Sequence, residues 1–172
     1  MTVAALALRL TLAFVLVAAA AGKLSTRASR AQYREMFIAM GIPARWRTAV
    51  AVALVVAEIG TAALLVPPRA AIPGSVAAAA LFTVLAVGVR HVVRGARQVR
   101  CNCFGSAKAV PLSPIHVLRN GVLVLFAVAA SGLSIAGGPV SAPGVLLAAI
   151  GALVLAALMV RFDDVAYLAG LS

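Results

Sequence analysis

Five long apolar segments constrain the fold of this chain more than any other feature of its sequence. They cover residues 3–21, 48–66, 71–89, 115–135 and 144–160. A helix needs about 20 apolar residues to cross a bilayer, and backbone groups in lipid must be bonded within their own segment. The sequence therefore predicts an all-α integral membrane bundle. It has four core transmembrane helices and a fifth at 144–160, forms a single domain over residues 1–172, and has no sheet.

The basic residues are distributed unevenly along the chain, which has a net charge of +11. The connections after the first and third segments are rich in lysine and arginine, whereas the other two turns contain Arg69 alone. The positive-inside rule then predicts a multi-pass protein of the cell membrane, with both basic connections and the carboxyl end cytoplasmic and the amino end outside. These charges contact anionic lipid headgroups, so the bilayer is the expected partner and nucleic acid is not. The basic residues are Lys23, Arg27, Arg30, Arg34, Arg45 and Arg47 in the first connection, and Arg90, Arg94, Arg97, Arg100 and Lys108 in the second.

The first basic connection contains a helical pattern of its own. Tyr33, Met36, Phe37 and Met40 recur at the spacing of one helix face, with Ser29 as the predicted cap and the end at Gly41. This pattern predicts a short amphipathic helix in the membrane interface. Two interpretations remain open: the helix only anchors the connection, or it covers the second basic connection, which lies on the same side.

Glu58 is the one acidic residue within an apolar segment. About 1.5 Å of rise per residue places it roughly 15 Å deep, where a carboxyl group should face the bundle interior and have a partner. The sequence offers Arg9, Arg119 and Asn120 as partners. Glu58 then either locks helices together or handles a proton or ligand, as in a small transporter.

Cys101 and Cys103 are the only cysteines, and they lie in a polar connection. Thiolate is the reactive form of cysteine, and the charges of Arg100 and Lys108 favour it. The pair therefore predicts redox chemistry. Lipidation and a structural role remain alternatives. A metal site is a further alternative, either Zn held by the two thiolates with His91 and His116 or Cu(I) held by the thiolates alone.

Four markers in order resemble the MauE/DoxX-like family of redox-associated membrane proteins, over about residues 1–135. They are Ala21-Gly22-Lys23-Leu24, Glu58, Cys101-Asn102-Cys103-Phe104-Gly105 and Arg119-Asn120. The cysteine motif of the family usually has glycine where this chain has Asn102. The substitution keeps both thiols.

The resemblance implies a membrane component of thiol–disulfide handling in methylamine utilisation, acting with a thioredoxin-like partner. Cys101 and Cys103 would be the redox pair of a thiol–disulfide oxidoreductase, supported by Glu58, Arg119 and Asn120. No cofactor is required by the sequence, and a quinone is an alternative electron acceptor. The competing function is a non-catalytic membrane assembly or metal-binding module.

Overall fold

The computed structural model describes residues 2–95, 100–101, 110–111, 113–135 and 140–162, with the backbone alone at 100–101 and 110–111. Five long helices account for most of them. They are α1 (Val3–Leu24), α3 (Ala44–Leu65), α4 (Ala71–Arg94), α5 (Pro114–Ile135) and α6 (Ala142–Val160). Their lengths of 19 to 24 residues correspond to about 29 to 36 Å, enough to cross a hydrocarbon core of about 30 Å. All five are long and apolar enough to span a membrane, so the helical membrane bundle and its fifth span are confirmed.

The central helix of the bundle is α1, the most buried of the five. It packs against α3, α5 and α6, while α4 packs against α5 and forms a hairpin with α3. The core contains Leu12 and Leu16 of α1, Leu65 of α3, Phe82 of α4 and Leu123 of α5. Large apolar side chains on the outer faces are exposed, as expected where lipid is the solvent.

The hairpin of α3 and α4 is closely packed at its turn. A Cβ atom at Gly74 of α4 would lie 2.7 Å from the carbonyl oxygen of Leu64 in α3. Small residues permit this kind of close approach between membrane helices. A short 3-10 turn, Pro68–Ala70, joins the two helices.

Arg9 of α1 donates hydrogen bonds to backbone carbonyls at the carboxyl end of α3. Its guanidinium Nη2 donates to the carbonyl oxygens of Leu65 (2.6 Å), Val66 (3.3 Å) and Pro67 (2.8 Å). The last carbonyls of a helix have no partner within the helix, and the prolines after Val66 prevent the helix from continuing. Arg9 therefore has its partner inside the bundle, and that partner is backbone rather than the Glu58 carboxylate.

The predicted amphipathic helix is present as α2 (Arg27–Ala39). Its cap is Thr26, not the expected Ser29: the Thr26 hydroxyl accepts a hydrogen bond from the Ser29 backbone N–H at 3.0 Å. The helix ends before Gly41, whose φ of 75° suits glycine. The predicted apolar face is the one that is buried, since Met36 and Phe37 pack against α1 and α3.

Two residue pairs form a minimal antiparallel ladder in the connection between α4 and α5. In it β1 (Arg100–Cys101) pairs with β2 (Val110–Pro111), with Arg100 opposite Pro111 and Cys101 opposite Val110. The absence of a sheet was thus correct for the membrane-spanning segments. This ladder lies in the connection between two spans, where the backbone groups of the connection can form hydrogen bonds with one another.

Candidate functional site

An ion pair lies inside the bundle at the predicted acidic position. The Lys23 ammonium donates a hydrogen bond to Oε1 of Glu58, and both side chains are buried, with 5% and 0% of their surface exposed. Burial without a partner would cost each charge several kcal/mol, so the pair explains how both are tolerated here. The expectation that Glu58 faces inward and has a partner is confirmed.

The partner itself was not among the three expected from the sequence. Lys23 was assigned to the basic connection, but α1 continues through it to Leu24. One signal could have found it: Leu12, Leu16, Ala19 and Lys23 follow the spacing of one helix face, and all four are buried. Side chains of a helix tilt towards its amino end, so a lysine in the last turn reaches back into the bundle.

Tyr33 of α2 lies over the ion pair and was expected only as part of an apolar face. Its ring centroid is 5.3 Å from the Lys23 ammonium, within the range of a cation–π contact. Its hydroxyl donates to the carbonyl oxygen of Ala51 at 3.4 Å, and its ring meets Phe37 edge-on at 4.9 Å. Burial raises the pKa of the Tyr33 phenol, and the negative charge of Glu58 raises it further. Tyr33 therefore remains a neutral cover for the pair.

The first two turns of α5 bring further polar groups to the same place. His116, Arg119 and Asn120 are all buried. The guanidinium of Arg119 is close enough to act electrostatically on the Lys23 ammonium. Three residues that the sequence singled out separately, Glu58, Arg119 and Asn120, thus lie around one centre.

These groups line a cavity of about 250 Å³, here called the bundle cavity. Its walls are mostly apolar and come from α1, α3 and α4, and α2 closes one side with Met36, Phe37 and Met40. The polar residues lining it are Lys23, Glu58, His116, Arg119 and Asn120. A mainly apolar cavity with a few convergent polar groups is the usual form of a small-molecule site.

The cysteine pair is only partly within the described residues. Cys101 and Arg100 form β1, of which the backbone is described, whereas Cys103 and Lys108 lie outside the described residues. The backbone of β1 lies beside α2. This proximity favours the second interpretation of α2, in which the helix covers the start of residues 100–105, here called the cysteine segment.

The alternative metal set is likewise only partly described. His91 lies in the last turn of α4 and is exposed, while His116 is buried and its Nδ1 accepts a hydrogen bond from the Ser113 backbone N–H at 3.3 Å. Within the ranges that the structure describes, no three His, Cys, Asp or Glu residues are grouped as metal ligands. A set that includes both thiolates extends beyond those ranges.

Comparison with known proteins confirms the family that the four sequence markers resemble. The model of the family described as methylamine utilisation protein MauE matches residues 1–135, which contain α1 to α5. The methylamine utilization protein MauE of Paracoccus denitrificans is 38% identical over 169 residues, covering 96% of this chain and 87% of its own length. No solved structure matches. On a family match over most of the chain and a relative aligned along nearly all of it, this multi-helix membrane protein belongs to the MauE family.

Proposed function

We propose that this protein is a membrane component of thiol–disulfide handling in methylamine utilisation, with Cys101 and Cys103 as its redox pair. The observation that carries the proposal is the position of β1. The strand β1, which contains Cys101, lies beside α2, and α2 also closes one side of the bundle cavity. The MauE match supports the biological setting, and the relative's name supplies methylamine utilisation.

The proposed reaction is an exchange with a thioredoxin-like partner. The charges of Arg100 and Lys108 favour a thiolate at Cys101 or Cys103. This thiolate attacks the partner's disulfide, forming a mixed disulfide and releasing one partner sulfur as a thiolate that takes up a proton. The second cysteine loses its proton and attacks the mixed disulfide. The pair is then oxidised to a disulfide, and the partner has gained two electrons and two protons as a dithiol.

Glu58, Arg119 and Asn120 support the pair indirectly in this proposal. Lys23 and Glu58 join α1 to α3, Arg119 and Asn120 of α5 line the same cavity, and α2 is docked against α1 and α3. A correctly docked α2 keeps the start of the cysteine segment in one place, which limits the geometries in which a partner can approach it.

Trapping of the mixed disulfide tests the exchange. Replacing the resolving cysteine leaves the first covalent step intact, so one of Cys101→Ser and Cys103→Ser should accumulate a partner adduct in cells. The measurement is a non-reducing gel with mass spectrometry of the adduct, and the double Cys→Ser variant is the control. If neither single variant traps a partner or changes growth on methylamine, the exchange role is wrong.

The proposed orientation places the cysteine segment and the carboxyl end in the cytoplasm, in the cell membrane. It is supported by the basic residues in and beside α2 and by those in and after the last turns of α4. A membrane-impermeant maleimide should then label reduced Cys101 or Cys103 in inside-out vesicles but not in intact cells. Labelling in intact cells would reverse the orientation.

A further inference from the structure

A carboxylate oxygen of Glu58 at the bundle cavity has no part in the proposed cysteine chemistry. Glu58 has two carboxylate oxygens, and Oε1 accepts the hydrogen bond from Lys23. The other oxygen, Oε2, is buried and accepts no hydrogen bond from any described residue. A buried carboxylate oxygen without a donor is costly, and nearly all buried polar atoms in proteins have a partner. Glu58 lines the bundle cavity, so a molecule in that cavity can supply the donor.

The groups around Glu58 also define what the same molecule should accept. Lys23 and Arg119 both line the cavity, and Glu58 is the one acidic residue among the described lining residues. The charges lining the cavity are therefore positive overall. This disfavours a ligand with an ammonium group and favours one whose polar group accepts hydrogen bonds. A group that both donates and accepts hydrogen bonds, such as a hydroxyl, fits both requirements.

The remaining walls indicate the body of the ligand. Phe37 and Phe82 both line the cavity, and aromatic rings pack well against one another. An engineered cavity of about 150 Å³ in another protein binds benzene, so about 250 Å³ accommodates a ring with a short alkyl chain. Leu54 and Leu85 offer apolar contacts for that chain.

One wall of the bundle cavity is also part of the lipid-facing surface. Val84 of α4 lines the cavity and is also 63% exposed. Its exposed neighbours on the same helix, Val76 and Val87, are apolar, as expected for a surface in contact with acyl chains. A ligand that reaches the cavity past Val84 must therefore partition into the bilayer.

We propose that the bundle cavity binds a membrane-soluble hydroxyarene with a short alkyl chain. Its hydroxyl donates to Oε2 of Glu58 and accepts a hydrogen bond from the cationic side chains beside it. Its ring packs between Phe37 and Phe82. The proposal uses the described residues that line the bundle cavity and neither cysteine, so it does not depend on the thiol–disulfide role.

Two matched probes test the polar contact. The full-length protein in nanodiscs is titrated with para-hexylphenol and with para-hexylanisole, whose methylated oxygen accepts but cannot donate, and the heat from empty nanodiscs is subtracted. We expect the phenol to bind at least about tenfold more tightly, the effect of one lost hydrogen bond to a charged group. Glu58→Gln should remove most of this preference. Equal affinity of the two probes for the wild-type protein, or no binding above empty nanodiscs, would overturn the proposal.

A second pair of variants tests the place of binding. Ala19 of α1 lines the cavity, whereas Ala21 on the same helix is exposed. Ala19→Leu should fill the cavity and abolish phenol binding, and the matched Ala21→Leu should leave it unchanged. Retained binding in Ala19→Leu would place the probe elsewhere. The double Cys→Ser variant should bind the phenol like the wild type, so failure of the exchange role and failure of this site are distinguishable.

Discussion

At the residue scale, Lys23 and Glu58 show how far a sequence can locate a buried charge. An acid in an apolar segment must face inward, and that expectation follows from the cost of charge in lipid. The same argument does not identify the partner of Glu58. The positive-inside rule assigned Lys23 to a cytoplasmic connection, so Lys23 was not considered as a residue inside the bundle. The helix register of α1 overrides the charge rule at this position, since Lys23 continues the buried face of Leu12 and Leu16.

The coupling of this pair can be measured with a double-mutant cycle. Lys23→Met leaves a buried carboxylate and Glu58→Met a buried ammonium, and each should lower the free energy of unfolding by about 3 to 5 kcal/mol. The double variant removes both charges and should cost less than either single variant. The measurement is reversible unfolding in detergent, with Glu35→Gln on the exposed side of α2 as control. Additive losses would mean that the two charges are not coupled.

Arg9 makes a second prediction at this scale. Arg9→Met takes the guanidinium donor from the carbonyl oxygens of Leu65 and Val66. The Pro67 oxygen loses it too but still accepts a hydrogen bond from the Ala70 backbone N–H. We expect a loss of about 2 to 4 kcal/mol in the free energy of unfolding, from buried acceptors left unpaired. Arg69→Met, at an exposed arginine in the adjacent turn, is the matched control and should change little. Equal effects of the two substitutions would show that Arg9 is not an interhelix cap.

At the scale of the element, α2 was predictable because its apolar spacing is helical and its ends contain turn residues. Its position was not, since periodicity identifies a buried face without identifying what buries it. The structure shows that the face contacts Ala20 of α1 and Val55 of α3, and that Met40 reaches Gly88 of α4. The helix therefore belongs to the bundle and does more than anchor a connection.

The docking of α2 is tested by one residue on each of its faces. Phe37 is almost completely buried, whereas Ile38 is about half exposed. Phe37→Ala should release the helix, because truncating a buried aromatic costs about 3 to 5 kcal/mol. Trypsin should then cleave faster after Arg27, Arg30 and Arg34, as peptide mapping would show. Ile38→Ala should be cleaved at the wild-type rate, and the same rate in both variants would contradict the docking.

At the scale of the whole molecule, hydropathy located all five spans within a few residues because the thickness of the bilayer dictates their length. It could not reveal which helices are neighbours. Apart from a few polar residues such as Arg9 and Glu58, each span is apolar on all sides, so hydropathy shows no apolar stripe that would select a neighbouring helix. The central place of α1 and the bundle cavity follow from packing of small residues and from a few polar contacts.

The fifth helix makes the last prediction, because α6 lies beyond the residues that the family model matches. Ala148, Ala152 and Ala156 form a buried face at four-residue spacing on α6, and α6 packs against α1. Ala152→Leu should push the two helices apart and cost about 1 to 3 kcal/mol, the usual penalty of overpacking. Ala157→Leu, on the exposed side of α6, should be neutral in the same detergent unfolding experiment. If Ala152→Leu is equally neutral, α6 is an appended span rather than part of the core, and α1 must face lipid on that side.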